Sequence, residues 1–293
     1  MCLMTWSWQP GHAQTLLLAA NRDEWLDRPT LSMRWWQPEP SLPTWVLSGR
    51  DLRSGGIWLG LSDNGRFAAV TNVRDPGRER PQAPSRGLLP LRYLLGVDPR
   101  ADHAMPACSP GAYAEAVMQD AQAYAGFNLL LGDAVRGELV WLSNHPQALR
   151  EVEPGVHGLS NAALDTAWPK VVGMKEVLAQ QLSREMPDQF EALRNALLHD
   201  RTAADAELPR TGVSLEREHA LSATFIRIPG YGTRSSTVLR LDRDGGMHVR
   251  ELQYQPTVAD PADFAWNWRA RQAHSESLRG AGSSGLSHPD AMK

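Results

Sequence analysis

The strongest constraint on this chain is that its extended segments come in hairpin-ready pairs instead of alternating one by one with helices. Residues 2–8 and 15–21, rich in Leu, Thr and Trp, are divided by Gln9-Pro10-Gly11-His12 and read as the two strands of a hairpin that starts at residue 2. Residues 57–61 and 67–73 flank Asp63-Asn64-Gly65, whose Asn-Gly step supplies the positive φ that a tight hairpin turn requires. A short strand is expected at 45–48, after an ordered Trp- and Pro-rich loop at 35–43. Helical spacing then appears at 88–95 and from Tyr113 to Ala121, strands at 127–131 and 138–142, and an extended stretch at 156–161. Two helices follow at 168–182 and 189–197, and three strands at 223–228, 236–241 and 248–252. Blocks of strands and helices in this order suit antiparallel sheets covered by helices, not a doubly wound parallel sheet.

Bulk properties close off several functions. A formal net charge of −3 leaves no basic excess to displace counterions from nucleic-acid phosphates. The longest apolar run, Leu16 to Ala20, is far short of the roughly 20 residues that span a bilayer. Polar and turn residues interrupt the first dozen positions too soon for a secretory signal, so a cytoplasmic location is expected. With only Cys2 and Cys108 there is neither a disulfide framework nor a Cys-rich zinc site, and the nine His residues show no His-x-x-x-His pair, so no metal is expected. No linker divides the chain: residues 1–270 are expected to form one domain, and the Gly-, Ser- and polar-rich 271–293 a disordered tail.

Cys2 is the position with most chemistry to offer. Free Cys is most often a small buried apolar residue. A Cys directly after the initiator Met is different: trimming of Met1 would place a free α-amine on the thiol-bearing residue itself. An α-amine with a pKa of roughly 7.7 to 8.0 accepts a proton near neutrality, so one residue would hold nucleophile and base together. The four polar residues Asn21-Arg22-Asp23-Glu24 stand where the second strand is expected to end. Trp35 and Trp36, an aromatic pair in a loop, are expected pocket contacts, because such a pair is hard to bury completely.

Several motifs make the sequence resemble the NRDE family: Met1-Cys2, Ala19-Ala20-Asn21-Arg22-Asp23-Glu24, Gly55-Gly56-Ile57-Trp58-Leu59-Gly60 and Val70-Thr71-Asn72. Further matches are Ser85-Arg86-Gly87, Gly126-Phe127-Asn128-Leu129, Gly158-Leu159-Ser160-Asn161, Trp168-Pro169-Lys170 and Pro229-Gly230-Tyr231-Gly232-Thr233-Arg234, so the resemblance covers residues 1 to about 255. That family is in turn similar to the choloylglycine hydrolase and penicillin V acylase branch of N-terminal-nucleophile enzymes. The resemblance implies a four-layer αββα sandwich with antiparallel sheets. It also implies an amidase or acyltransferase acting on a non-peptide C–N bond. Carried over by order along the chain, Cys2 is the nucleophile, Asp23 orients its amine, Asn72 donates to the oxyanion, and Asn161 and Arg234 complete the polar wall. Asn21, Arg22, Trp35 and Trp36 are the expected substrate contacts. The acylase pattern has an Arg where this chain has Ala20; Arg22 lies on the opposite face from Asn21 and Asp23, which argues against its standing in. No cofactor is required for such chemistry. The family's proposed part in haem trafficking and lipid homeostasis implies an alternative, a carrier that holds haem or an acyl compound in the same cleft in place of a small-molecule amide.

Overall fold

A computed structural model describes residues 2–78, 80, 82–101, 103–105, 108–254 and 262–269. The expected tail, 271–293, and Met1 lie outside the described residues. Strand β1 (Cys2–Trp8) pairs antiparallel with β2 (Gln14–Trp25), as the hairpin pattern predicts, and β2 continues through the polar quartet instead of stopping before it. On β1 and β2 the even positions Cys2, Met4, Trp6, Trp8, Leu16, Leu18 and Ala20 enter one apolar core, while Leu3, Leu17 and Ala19 enter another. Both faces are covered, which is why these strands read as continuous apolar runs instead of alternating ones.

Two seven-stranded antiparallel sheets result. The first sheet brings β1 and β2 together with β10 (Gly155–Leu159), β12 (Tyr231–Asp242), β13 (Gly246–Gln253) and β14 (Ala262–Arg269) in the order β10-β1-β2-β12-β13-β14, and the two-residue β11 (Arg227–Ile228) pairs with β12. The second sheet runs in sequence order: β3 (Thr30–Trp36), β4 (Val46–Asp51), β5 (Leu59–Ser62), β6 (Arg66–Asn72), β7 (Phe127–Asp133), β8 (Glu138–Asn144) and β9 (Gln147–Glu151). The sheets face each other across the core that holds Trp6, Trp8, Leu47, Leu61, Phe67 and Trp141. Helices α1 (Leu88–Leu95) and α2 (Pro110–Gln119) cover the outer face of the second sheet. Helices α3 (Pro169–Gln181) and α4 (Met186–Leu197) cover that of the first, and a short α5 (Leu215–Leu221) precedes β11. The layers are therefore α, β, β, α, as expected. Among the described residues no helix is long and apolar enough to cross a membrane.

Two local expectations are corrected, and three elements lie outside the expected pattern. The segment containing Trp35 and Trp36 is strand, not loop, because β3 pairs with β4 along Leu31, Arg34 and Trp36. Residues 223–226 lie outside any strand, leaving only β11 of the run expected at 223–228. Strands β9 and β14 were not foreseen: β9 is a mostly exposed edge strand and β14 alternates exposed and half-buried positions, so neither carries a strong apolar signal. Helix α5, with a run of charges at its start, is also invisible to apolar periodicity.

Candidate active site

The site forms where β1 begins and β2 and β6 run out. Cys2 is paired directly with Arg22 across the β1–β2 ladder, so the two side chains share the face turned toward the other sheet. Cys2 is 7% exposed. Burial pushes its thiol pKa up, against the positive amino terminus, the backbone N–H of Asp23 and the Arg22 guanidinium, which favour the thiolate. The Cys2 carbonyl accepts a 2.9 Å hydrogen bond from the Ser160 hydroxyl, which fixes the first residue of the strand. A cleft of about 440 Å³ opens over the thiol, walled by Cys2, Arg22 and Asp23 on one side and Trp58, Thr71 and Asn72 on the other.

The far wall is stitched to the loop after β10. Asn161 Nδ2 donates to both the backbone carbonyl (2.9 Å) and side-chain Oδ1 (3.0 Å) of Asn72. The Arg74 N–H donates to the Asn161 carbonyl at 2.7 Å, and the Thr71 hydroxyl to that of Ser160 at 2.8 Å. Because its Oδ1 is engaged, Asn72 is left with its Nδ2 hydrogens to offer in the cleft. Ser160 and Asn161, which belong to the first sheet by chain, thus hold the last residues of β6 in the second. The cleft is built across the seam between sheets.

Asp23 is 1% exposed and lies on the opposite face of β2 from Arg22. Its Oδ1 accepts from the Thr233 hydroxyl at 2.7 Å. Burial raises the Asp23 pKa; the Lys170 ammonium, the chain's amino terminus and the Thr233 hydrogen bond oppose it. The geometry therefore gathers Cys2, Asp23 and Asn72 at one cleft, with Asn161 directly behind Asn72.

Other expected site residues are elsewhere. Arg234 occupies a bulge in β12 between Thr233 and Ser235, and its Nη1 donates to the carbonyls of Trp25, Leu26 and Arg28, pinning the turn after β2 instead of reaching the cleft. Asn21 is fully buried toward the helical layer, donating to the carbonyls of Leu197 and Thr224, both at 2.8 Å. Trp35 packs edge-on against Trp268, with ring centroids 4.3 Å apart, and Trp36 donates to the Ser48 hydroxyl at 2.9 Å beneath the Arg50 guanidinium. Neither Trp lines the cleft. Arg22 does, and here the strand argument needs correcting: alternation separates Arg22 from Asp23 but keeps it on the face of Ala20, where the acylase pattern has its Arg. The sequence reading also missed Lys170, Thr233 and Arg86. Arg86 lines the cleft from the Ser85-Arg86-Gly87 motif, its Nη1 donating to the Gly126 carbonyl at 2.8 Å. The motifs held the signal for all three, but not their direction. Among the described residues no group of three or more His, Cys, Asp or Glu could hold a metal ion.

Comparison with known proteins places these motifs in one family. The model of the family described as Transport and Golgi organisation 2 matches residues 1–256. The Bos taurus Transport and Golgi organization protein 2 homolog is 33% identical over 279 residues, covering 89% of this chain and 95% of that protein. The Homo sapiens homolog is 31% identical over 270 residues, covering 86% and 92%. Among solved structures, a mutant conjugated bile acid hydrolase from Clostridium perfringens superposes with a TM-score of 0.37 at 11% identity, over 92% of this chain and 97% of that one. The Caenorhabditis elegans ortholog of N-acylethanolamine-hydrolyzing acid amidase gives 0.39 at 12% identity, over 83% and 93%. By the match of its whole motif-bearing length, this chain belongs to the Transport and Golgi organisation 2 family.

Proposed function

We propose that this protein is an N-terminal-nucleophile amidase or acyltransferase that cleaves a non-peptide C–N bond through Cys2. The observation that carries the reading is the meeting of Cys2, Asp23 and Asn72 at one cleft, with the Asn72 amide oriented by Asn161. The buried thiol is protonated at rest and needs a base, and the α-amine of a processed Cys2 is the nearest one. Sγ attacks the amide carbonyl carbon while the thiol proton passes to that amine. Asn72 Nδ2–H donates to the tetrahedral oxyanion; a preorganised donor of this kind is worth roughly 3 to 4 kcal/mol. Collapse breaks the C–N bond, and the leaving amine departs with the proton. Water, or an acceptor amine, then attacks the Cys2 thioester and restores the thiol, so that amide and water give acid and amine. Asp23 holds and orients the α-amine through these steps.

The competing use of the cleft is a carrier of haem or an acyl compound. The wall contributed by Arg22, Arg28, Arg50 and Arg86 is cationic and fits a ligand that carries a carboxylate. Intact-mass spectrometry of protein from its native host, with and without iodoacetamide, tests the reading. We expect Met1 to be absent and one fast-reacting thiol that disappears in Cys2→Ser. A retained Met1 would acylate the base and overturn the proposal. A saturable Soret shift with haemin that survives Cys2→Ser would favour the carrier.

A further inference from the structure

The cleft over Cys2 holds more arginine than acid: five arginines line it against Asp23, Glu24 and Asp51. Most of the five are committed within the protein. Arg28 Nε donates to Asp51 Oδ2 at 2.9 Å and lies 3.7 Å from Glu24. Arg22 sits at the same 3.7 Å from Glu24 and donates to the Thr30 hydroxyl at 3.3 Å. Arg50 stacks over Trp36, 4.7 Å from the ring centroid. Arg80 is exposed and donates to the Gln122 carbonyl. Arg86 is half-buried, and among the described residues its guanidinium meets neither a carboxylate nor an aromatic ring; its one partner is the Gly126 carbonyl, at 2.8 Å from Nη1. Burial holds the Arg86 pKa below the ordinary arginine value, with Glu24 and Cys2 acting the other way.

Arg86 is also held in place before any ligand arrives. Its carbonyl accepts from the Leu89 N–H at 3.1 Å in the first turn of α1, and the next residue, Gly87, accepts from the Ile57 N–H at 3.0 Å. The bond to Gly126 fixes the far end of the side chain. With one Nη1 hydrogen engaged, the other N–H groups of the planar fork remain to donate. One open guanidinium supplies one positive charge and two parallel donors, which a carboxylate matches in both charge and shape. We infer that Arg86 is a specificity-determining residue of the cleft: it receives a carboxylate carried by the substrate, so that the amide cleaved at Cys2 is an anionic one. The inference rests on the Cys2 reading for the word substrate, but the preference for a carboxylate can be measured without turnover.

Two matched pairs of amides test it by calorimetric titration of the full chain carrying Cys2→Ser, which binds without cleaving. In the first pair the charge is on the amine half: N-octanoyl-β-alanine against N-octanoyl-3-aminopropanol. In the second it is on the acyl half: the mono-N-propylamide of suberic acid against N-propyloctanamide. The carboxylate member of at least one pair is expected to bind more tightly, by roughly tenfold to a hundredfold, the range for a charge-assisted hydrogen-bonded contact. The pair that shows the preference reports which half of the amide faces Arg86. Adding Arg86→Gln should abolish the preference while leaving the neutral member's affinity within about twofold, and Arg86→Lys, which keeps the charge without the fork, should retain part of it. No preference in either pair, or binding of none of the four, overturns the inference. So does an equal loss in Arg80→Gln, since a general positive field and not Arg86 would then be responsible. Should Arg86→Gln fail to fold, Arg86→Lys decides: an undiminished preference there overturns the fork. A retained Met1 or an inert Cys2 would sink the nucleophile reading while leaving these affinities as they are.

Discussion

At the scale of single residues, the site is governed by which face of β2 each side chain takes. Arg22 shares the face of the thiol, and Asp23 takes the opposite face of β2, where the Thr233 hydroxyl donates to it. The Arg22 charge favours the thiolate. Arg22→Met should therefore raise the thiol pKa and slow iodoacetamide labelling of Cys2 at pH 7 by roughly threefold to tenfold, one pKa unit being tenfold in thiolate. Stopped-time labelling read by mass spectrometry checks this, and an equal or faster rate would remove Arg22 from the electrostatics of the thiol. Cys2 could be picked out by its place after Met1, and Asp23 and Asn72 by the motifs that carry the family resemblance. Arg234 could not be placed, because a bulge in β12 redirects its side chain onto the turn after β2, and bulges leave little trace in residue type.

At the scale of elements, two motifs that look like loose loops are a single close crossing of backbones. The Ile57 N–H donates to the Gly87 carbonyl at 3.0 Å, and a Cβ at Gly56 would lie 2.5 Å from the Gly87 carbonyl carbon. Gly55, with φ of +73°, turns the chain into this crossing, and Arg86 beside it faces the cleft. Gly56→Ala should cost about 1 to 3 kcal/mol, the range for forced overpacking. Urea unfolding measures it, and a change below about 0.5 kcal/mol would mean the crossing can open freely. The positive φ of Gly55 serves the turn, while Gly56 is needed for approach by a distant segment.

At the scale of the whole molecule, the two sheets are clasped beside the core by a buried acid. Glu251 on β13 accepts from the Met33 N–H of β3 at 3.1 Å and from the Thr237 hydroxyl at 3.2 Å. Burial raises its pKa from 4.5 to about 7, against both hydrogen bonds and Arg22. Below the unfolded value both states hold the proton. Between there and pH 7 the unfolded chain ionises first, so stability falls as pH rises, by an amount of order 3 kcal/mol. Glu251→Gln keeps an acceptor without the ionisation, and should be more stable than the wild type at pH 8 by more than at pH 5. Thermal melts at both pH values test it; a variant with no relative gain at pH 8 refutes the assignment.

The chain's own order of residues determined the antiparallel hairpins and the helices that cover them, because periodicity and turn chemistry are local properties. Tertiary packing alone decided that Thr233 donates to Asp23, that Asn161 orients Asn72, and that Trp35 and Trp36 are packing residues. Each of these depends on two segments far apart in sequence being pressed together by the burial of the sheets, and that proximity is written in no single stretch of the chain.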